Sequence, residues 1–275
     1  MSRDTPGVSV AEMLRIANLD PIDSRALLRA ALGVSDTYLV AHPGQVLTDR
    51  QRDRYLAWVE RRCAGVPVAY LTGEREFYSL AFRVTPAVLI PRPETELLVE
   101  AALERVPAHV PFRVLDLGTG SGCVAVAIAK HRPRAQVTAT EVSRDALAVA
   151  RENAARNGSG IEFIESDWLD ALAGRRFDLV VSNPPYVAER DPHLSQGDSR
   201  FEPRAALVAG TDGLSSIRLI ITQARAHLEP GGGLLFEHGY DQAARCRALL
   251  AQAGYVGVAT RNDLAGIERV SGGRV

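Results

Sequence analysis

"RVLDLGTGSGCVAVAIA", residues 113–129, joins an apolar run of strand length to an apolar helical run through a turn that holds Gly118, Gly120 and Gly122. Glycine in such a turn permits tight reversal and close approach of backbone to a ligand, and the free N–H groups of the following helix favour a negative group. The same alternation repeats outward from this unit. Short apolar runs at "QVTATEV" (136–142), "IEFIE" (161–165), "FDLVVSN" (177–183) and "GLLFEHG" (233–239) are separated by helical segments, among them 143–158, which Ser143 caps and Gly158 stops. Strands alternating with helices predict a mainly parallel sheet covered on both faces. The last 22 residues, "GYVGVATRNDLAGIERVSGGRV", offer two more short strands that can close the edge as an antiparallel hairpin.

Upstream the pattern differs. Residues 9–64 read as short helices, with Ser9, Asp23 and Thr48 as caps, Gly33 as a stop, and Tyr55, Trp58 and Val59 on one stripe. From Val66 to Pro93, aromatic and β-branched residues in short runs are broken by Gly73 and several prolines, which suggests a hairpin-like connection. The expected organisation is a helical N-terminal domain over 1–70, suited to partner recognition, a hairpin-like linker over 71–93, and an α/β domain over 94–275.

Composition narrows the class. The chain has 275 residues, 46% hydrophobic and 24% charged, as in a folded globular protein. A net charge of -1 gives no global attraction to nucleic acid or anionic membrane, and Lys130 is the only lysine. Cys63, Cys123 and Cys246 are too far apart for a metal motif and suit reduced thiols, while the six histidines are scattered, so no metal is expected. The N-terminal stretch lacks an apolar signal core and no run is long enough to span a bilayer, so the expectation is a cytoplasmic protein without membrane contact.

Two features bear on a cofactor. The second strand ends at Glu141, about 20 residues after the turn, where an acidic side chain can accept both hydroxyl protons of a ribose diol. A dinucleotide favours G-x-G-x-x-G, whereas Asp116 and Gly118-x-Gly120-x-Gly122 lean toward S-adenosyl-L-methionine (S-adenosylmethionine). After the third strand, Asp167 can accept from an adenine amino group and Trp168 can lie against a purine face.

The fourth strand stops on Asn183, Pro184, Pro185 and Tyr186. Proline fixes φ and removes a donor, so this corner is rigid and presents acceptor oxygens. It suits a planar NH2 group, on an amide or a nucleobase, whose delocalised lone pair makes it a poor nucleophile. If the Asn183 side-chain oxygen and the Pro184 carbonyl each accept one N–H, orientation and fixed dipoles promote attack on a methyl sulfonium without a strong base. Tyr186 can pack on the planar group. Glu237 and His238, at the end of a fifth strand, can border the pocket. A non-enzymatic S-adenosylmethionine-binding module and a nicotinamide-dependent dehydrogenase are the readings that this corner and the glycine spacing disfavour.

"DLGTGSG", "SNPPY", the distal "RFEP" and "FEHG", and the upstream "LIPRPETE" together resemble the bacterial release factor glutamine methyltransferases, the PrmC/HemK proteins, over nearly the whole chain. NPPY alone is shared with enzymes that methylate adenine amino groups of DNA and RNA, so that activity is the alternative; the near-neutral charge and lack of an aromatic-basic reading surface count against it. The resemblance implies a seven-stranded, Rossmann-like methyltransferase domain and a helical domain that helps hold the protein substrate. It implies methylation of the side-chain amide N5 of the glutamine in the GGQ tripeptide of peptide chain release factors. By position, Gly118, Thr119, Gly120, Ser121 and Gly122 would surround the methionine moiety, Glu141 the ribose, and Asp167 with Trp168 the adenine. Asn183, which would also contact the cofactor, would hold the glutamine amide together with Pro184, Pro185 and Tyr186. Glu141 stands where the family often has aspartate, and "RPETE" is expected to line the cofactor pocket.

Overall fold

A computed structural model describes residues 7–275; the first six residues, part of the N-terminal stretch considered above, lie outside it. The chain divides into two compact units, Met1–Glu74 and Arg75–Val275.

The first unit holds α1 (Val10–Ile16), α2 (Pro21–Leu32), α3 (Asp36–Ala41), α4 (Asp49–Cys63) and α5 (Val68–Thr72). Ser9 and Thr48 each close a capping box, the side chain accepting from the third helical N–H while Glu12 or Gln51 reaches back. The cap of α2 is Asp20, not Asp23. Pro21 occupies the first turn, where its missing N–H costs nothing, and Asp20 accepts from Ile22 N at 2.8 Å. Met13, Leu27, Leu28 and Tyr55 are fully buried together, and the Tyr55 hydroxyl, 2.7 Å from Ser24 Oγ, has the partner a buried phenol needs.

The second unit carries β2 (Leu80–Arg83), which pairs with β1 (Glu74–Phe77) in a two-stranded sheet. Residues 71–93 do not behave as a linker: Phe77 and Phe82 are buried at 1% and 0% exposure in the second unit's core, with rings 6.1 Å apart edge to face. The Asn153 side chain joins this hairpin to the helix layer, its Oδ1 accepting from Arg83 N and its Nδ2 donating to Arg83 O. Then follow α6 (Glu96–Arg105), β3 (Phe112–Leu117), α7 (Cys123–His131), β4 (Ala135–Glu141), α8 (Arg144–Arg156), β5 (Ile161–Glu165), β6 (Phe177–Ser182), α9 (Ser215–Ala224), β7 (Leu228–Glu237), α10 (Ala243–Gln252), β8 (Val256–Asn262) and β9 (Glu268–Arg274).

The seven strands β3 to β9 lie in the order β5-β4-β3-β6-β7-β9-β8. The pairs from β5 through β7 are parallel, and β9 runs antiparallel to both β7 and β8. Alternation within the apolar runs divides them between two cores. Val114, Leu179, Val181 and Leu235 pack under α6 and α7, while Leu115, Leu117, Val180, Leu234 and Phe236 pack under α9 and α10. Side chains alternate across a strand, so continuous apolar runs are what a sheet buried on both faces requires. At about 25 cal/mol per Å² of apolar surface removed from water, each fully buried leucine contributes about 2 kcal/mol before entropy is charged.

Candidate active site

The parallel register places Leu117 beside both Thr140 and Ser182, and Ser182 beside Phe236. One step further along, Glu141, Gly118, Asn183 and Glu237 follow the sheet's carboxyl ends in one row. The chain leaves β3 toward β4 on one side, and β6 lies on the other, which makes this the switch point where open α/β sheets bind ligands. A cavity of about 350 Å³ opens there, within the range of small-molecule sites.

Gly118, Thr119, Gly120, Ser121, Glu141, Asp167, Trp168, Asn183 and Pro185 line this cavity, whereas Gly122, Pro184 and Tyr186 are not among its lining. Gly122 (φ +82°) faces the helix layer, where a Cβ would lie 3.1 Å from Ala150 Cβ and 3.2 Å from its Cα. It starts α7 by close packing on α8. Gly120 (φ +55°) faces open space instead. Its N–H donates to Glu141 Oε2 at 3.0 Å, while Ser143 N–H donates to Glu141 Oε1 at 3.0 Å. The carboxylate is thus fixed by one bond per oxygen, with further acceptor capacity for a pair of hydroxyls. Trp168 holds a left-handed backbone (φ +46°), and its ring covers the Gly118 turn, where an added Cβ would approach Cζ3 to 3.3 Å. Val142 also lines the cavity, 61% exposed, an apolar surface that sequence reasoning passed over.

Asp116 was noted in the sequence only for its place before the turn. It is buried at 1% exposure, lines the cavity, and accepts from Thr119 Oγ1 at 2.6 Å. Burial raises its pKa to about 6 against that hydrogen bond. A cationic group nearby would relieve this cost. The donor set therefore suits a ligand that brings a cation to Asp116, a diol to Glu141 and a flat ring to Trp168.

The Asn-Pro-Pro-Tyr corner is held from behind. Asn183 Nδ2 donates to Thr95 Oγ1 at 3.0 Å, so Asn183 Oδ1 and the Pro184 carbonyl are left without a hydrogen bond among the described residues. Gln242 Nε2 donates to the Tyr186 carbonyl at 2.9 Å, and the corner continues into Val187, whose N–H and carbonyl bond to Leu207 and Ala209. The Tyr186 hydroxyl points away, donating to Glu237 Oε1 at 3.0 Å. The nearby Glu237 carboxylate and burial raise the Tyr186 pKa well above its usual value, so it stays a donor.

Two segments without assigned individual roles meet at the cavity. Glu202, from "RFEP", is 6% exposed; it accepts from Ile90 N at 2.9 Å and pairs with Arg92 of "LIPRPETE". Arg92, Thr95 and Pro203 line the cavity with the glycine turn. Ile90 and Glu202 are 112 residues apart, and nothing local in the sequence pairs the two segments. Glu237 and His238 are not lining residues; His238 is buried between Ser271 Oγ and the Gly239 carbonyl.

Two family models match the chain, the PrmC N-terminal domain over residues 9–73 and the Methyltransferase small domain over residues 93–202. The release factor glutamine methyltransferase of Burkholderia pseudomallei is 55% identical over 97% of this chain and 96% of its own length. That of Xylella fastidiosa is 50% identical over 93% of this chain and 94% of its own. A methyltransferase structure from Pyrococcus furiosus shares the fold at 19% identity, with a TM-score of 0.55 over 79% of this chain and 97% of that one. Near-complete coverage at half identity or more shows that the chain belongs to the release factor glutamine methyltransferase family.

Proposed function

We propose that this protein methylates the side-chain amide nitrogen N5 of the glutamine in the GGQ tripeptide of peptide chain release factors, with S-adenosylmethionine as donor. The observation that carries the reading is the Asn183 amide. Its Nδ2 is occupied by Thr95, so its oxygen and the Pro184 carbonyl are the two free acceptors of a rigid corner beside the glycine turn.

S-adenosylmethionine bound in the cavity would supply an electrophilic methyl group on a sulfonium. Asp116, Glu141 and Trp168 suit its ammonium, ribose and adenine, and Asp167 suits the adenine amino group. Asn183 Oδ1 and the Pro184 carbonyl would each accept one N–H of the substrate amide, turning its nitrogen lone pair toward the methyl carbon. The new N–C bond would form as the C–S bond breaks, and one amide proton would pass to solvent by way of the oxygen that held it. Both oxygens belong to fixed dipoles that need no reorganisation during the reaction. Residues 1–70 would hold the release factor, and the reaction would take place in the cytoplasm, where release factors act. No helix among the described residues is long and apolar enough to cross a membrane.

The test is mass spectrometry of the GGQ peptide after the purified protein has been incubated with a release factor and S-adenosylmethionine. One added methyl on glutamine is expected. No methyl on protein, with label appearing in adenine of DNA or RNA in parallel reactions, overturns the reading. Asn183→Ala should leave cofactor affinity within about twofold while kcat falls by a factor of about a hundred, the usual scale for losing one oriented group at a reaction centre.

A further inference from the structure

Asn183 can serve an N–H donor only if its oxygen, and not its NH2, faces the cavity. Nothing in an amide's shape decides between the two. Its partner Thr95 does not decide either, because a hydroxyl can donate to Oδ1 as well as accept from Nδ2. The choice belongs to whatever fixes the Thr95 proton. Thr95 is 2% exposed, and its hydroxyl faces the carboxylate of Glu237, which is 1% exposed. The β6–β7 register, which pairs Ser182 with Phe236, makes Glu237 and Asn183 the next residues in the row of strand ends.

We propose that Glu237 is a positioning residue for the transfer, acting as the terminal acceptor that sets the direction of a buried hydrogen-bond chain and so turns the Asn183 oxygen toward the substrate amide. The inference rests on the function proposed above. An ionised carboxylate can only accept. The Thr95 proton therefore points to Glu237, Thr95 Oγ1 is left as an acceptor, and Asn183 Nδ2 must fill it, as observed at 3.0 Å. The Tyr186 hydroxyl donates into the same carboxylate through Oε1, so both ends of the Asn-Pro-Pro-Tyr corner are tied to one anion. Oε2 makes no hydrogen bond that competes for the proton of Thr95, whose hydroxyl is the first of the groups that favour the charged carboxylate.

The chain's direction depends on protonation. Burial raises Glu237 to about pKa 7, opposed by Thr95, Tyr186 and Arg269 and assisted by Glu94. Further charged or titratable groups lie close by: Arg92 acts on Tyr186, the Cys123 thiol, pushed up to about 12, stays neutral, and burial lowers the pKa of the adjacent His238. Once Glu237 carries a proton it can donate to Thr95, and the Thr95 proton is released to turn on Asn183 Oδ1. The productive amide orientation is then no longer enforced. Turnover should therefore rise as pH increases through about 7.

The experiment measures kcat, and KM for a release factor, from pH 6 to about 8.5 at saturating S-adenosylmethionine, for the wild type, Glu237→Gln, Thr95→Val and Thr95→Ser. Glu237→Gln replaces one acceptor oxygen by a donor. It should lower kcat about tenfold or more at the alkaline end with little change in KM, and flatten the pH profile. Thr95→Val should lose a similar factor, and Thr95→Ser, which keeps the hydroxyl, should retain at least about half of kcat. Saturating cofactor separates this titration from that of Asp116. A wild type that methylates with a flat profile, or a Glu237→Gln variant with unchanged kcat and profile, overturns the inference while leaving the proposed function in place. A wild type that adds no methyl overturns the function itself. If Glu237→Gln fails to fold, the wild-type profile and the Thr95 pair still decide, because a purely structural carboxylate would give neither the pH dependence nor the contrast of valine with serine.

Discussion

Gly120 and Gly122 share one turn and one handedness of backbone, yet they serve different neighbours. At Gly122 an added methyl would meet Ala150 backbone and side chain at 3.1 to 3.2 Å, and φ is +82°. Gly122→Ala should cost about 2 to 3 kcal/mol from strain and overpacking, read as a lowered denaturation midpoint. At Gly120 nothing lies within 4 Å of the added atom, so only the left-handed backbone penalty of about 1 kcal/mol applies to folding, and the loss should fall on cofactor affinity in a binding titration. Two buried carboxyls, Asp116 in the cavity lining and Glu237 outside it, make a second prediction. Asp116 rises from 3.8 to about 6 and Glu237 from 4.5 to about 7, each first through burial. A raised carboxyl binds more protons folded than unfolded, so stability falls as pH climbs from about 4 to about 7. The loss is on the order of 3 kcal/mol for each group. Urea denaturation at pH 5 and pH 8 should show this slope in the wild type and a smaller one in Glu237→Gln; equal slopes would refute burial as the cause of the shift.

Among elements, the strands of the large sheet were legible because each is an apolar run buried on both faces, and the helices because their caps are local. Asp20 was missed in favour of Asp23 although Pro21 marks the first turn, a signal present in the sequence. The β1–β2 hairpin was visible as a hairpin, but its packing partners were not, since alternation says that Phe77 and Phe82 share a burial pattern and not what buries them. The site followed the same rule. Gly118, Glu141, Asp167 and Asn183, which line the cavity, could be picked out as candidates because strand ends are local features with known register consequences. Thr95, Arg92 and Glu202 act through pairings with distant segments, which no local pattern specifies. The Glu202 clasp is the clearest case. Glu202→Ala would leave the half-buried Arg92 guanidinium without its pair and the buried Ile90 N–H without its acceptor, the latter at roughly 1 to 3 kcal/mol. Because both partners lie on the segment leading to the cavity, cofactor affinity should drop about tenfold while the two cores stay intact. Calorimetric titration with S-adenosylmethionine checks the first part and near-UV circular dichroism the second; unchanged affinity would show that the clasp does not shape the pocket.

At the scale of the whole molecule, the division of labour is set by where each unit keeps its core. Residues 7–74 close on Met13, Leu27, Leu28 and Tyr55, whereas all residues lining the cavity, from Ala87 to Ser216, belong to the second unit. Two separate cores mean two units with separate sources of hydrophobic stabilisation. The chemistry of the cavity should then survive removal of the helical unit, and recognition of a large protein substrate should not. A chain starting at Arg75 keeps Phe77 and Phe82 within their core, a boundary that a cut at residue 94, the start expected from sequence, would destroy. The 75–275 fragment should bind S-adenosylmethionine within about threefold of the full chain's affinity, because each 1.4 kcal/mol of lost contact is needed for a tenfold change. Its KM for a release factor should rise by at least about tenfold with a smaller change in kcat, the pattern expected when uniform binding is removed. A fragment starting at Glu94 should lose cofactor binding and cooperative unfolding together. If the 75–275 fragment instead kept the full chain's KM, the helical unit would have no part in holding the substrate, and its role would have to be sought in another partner.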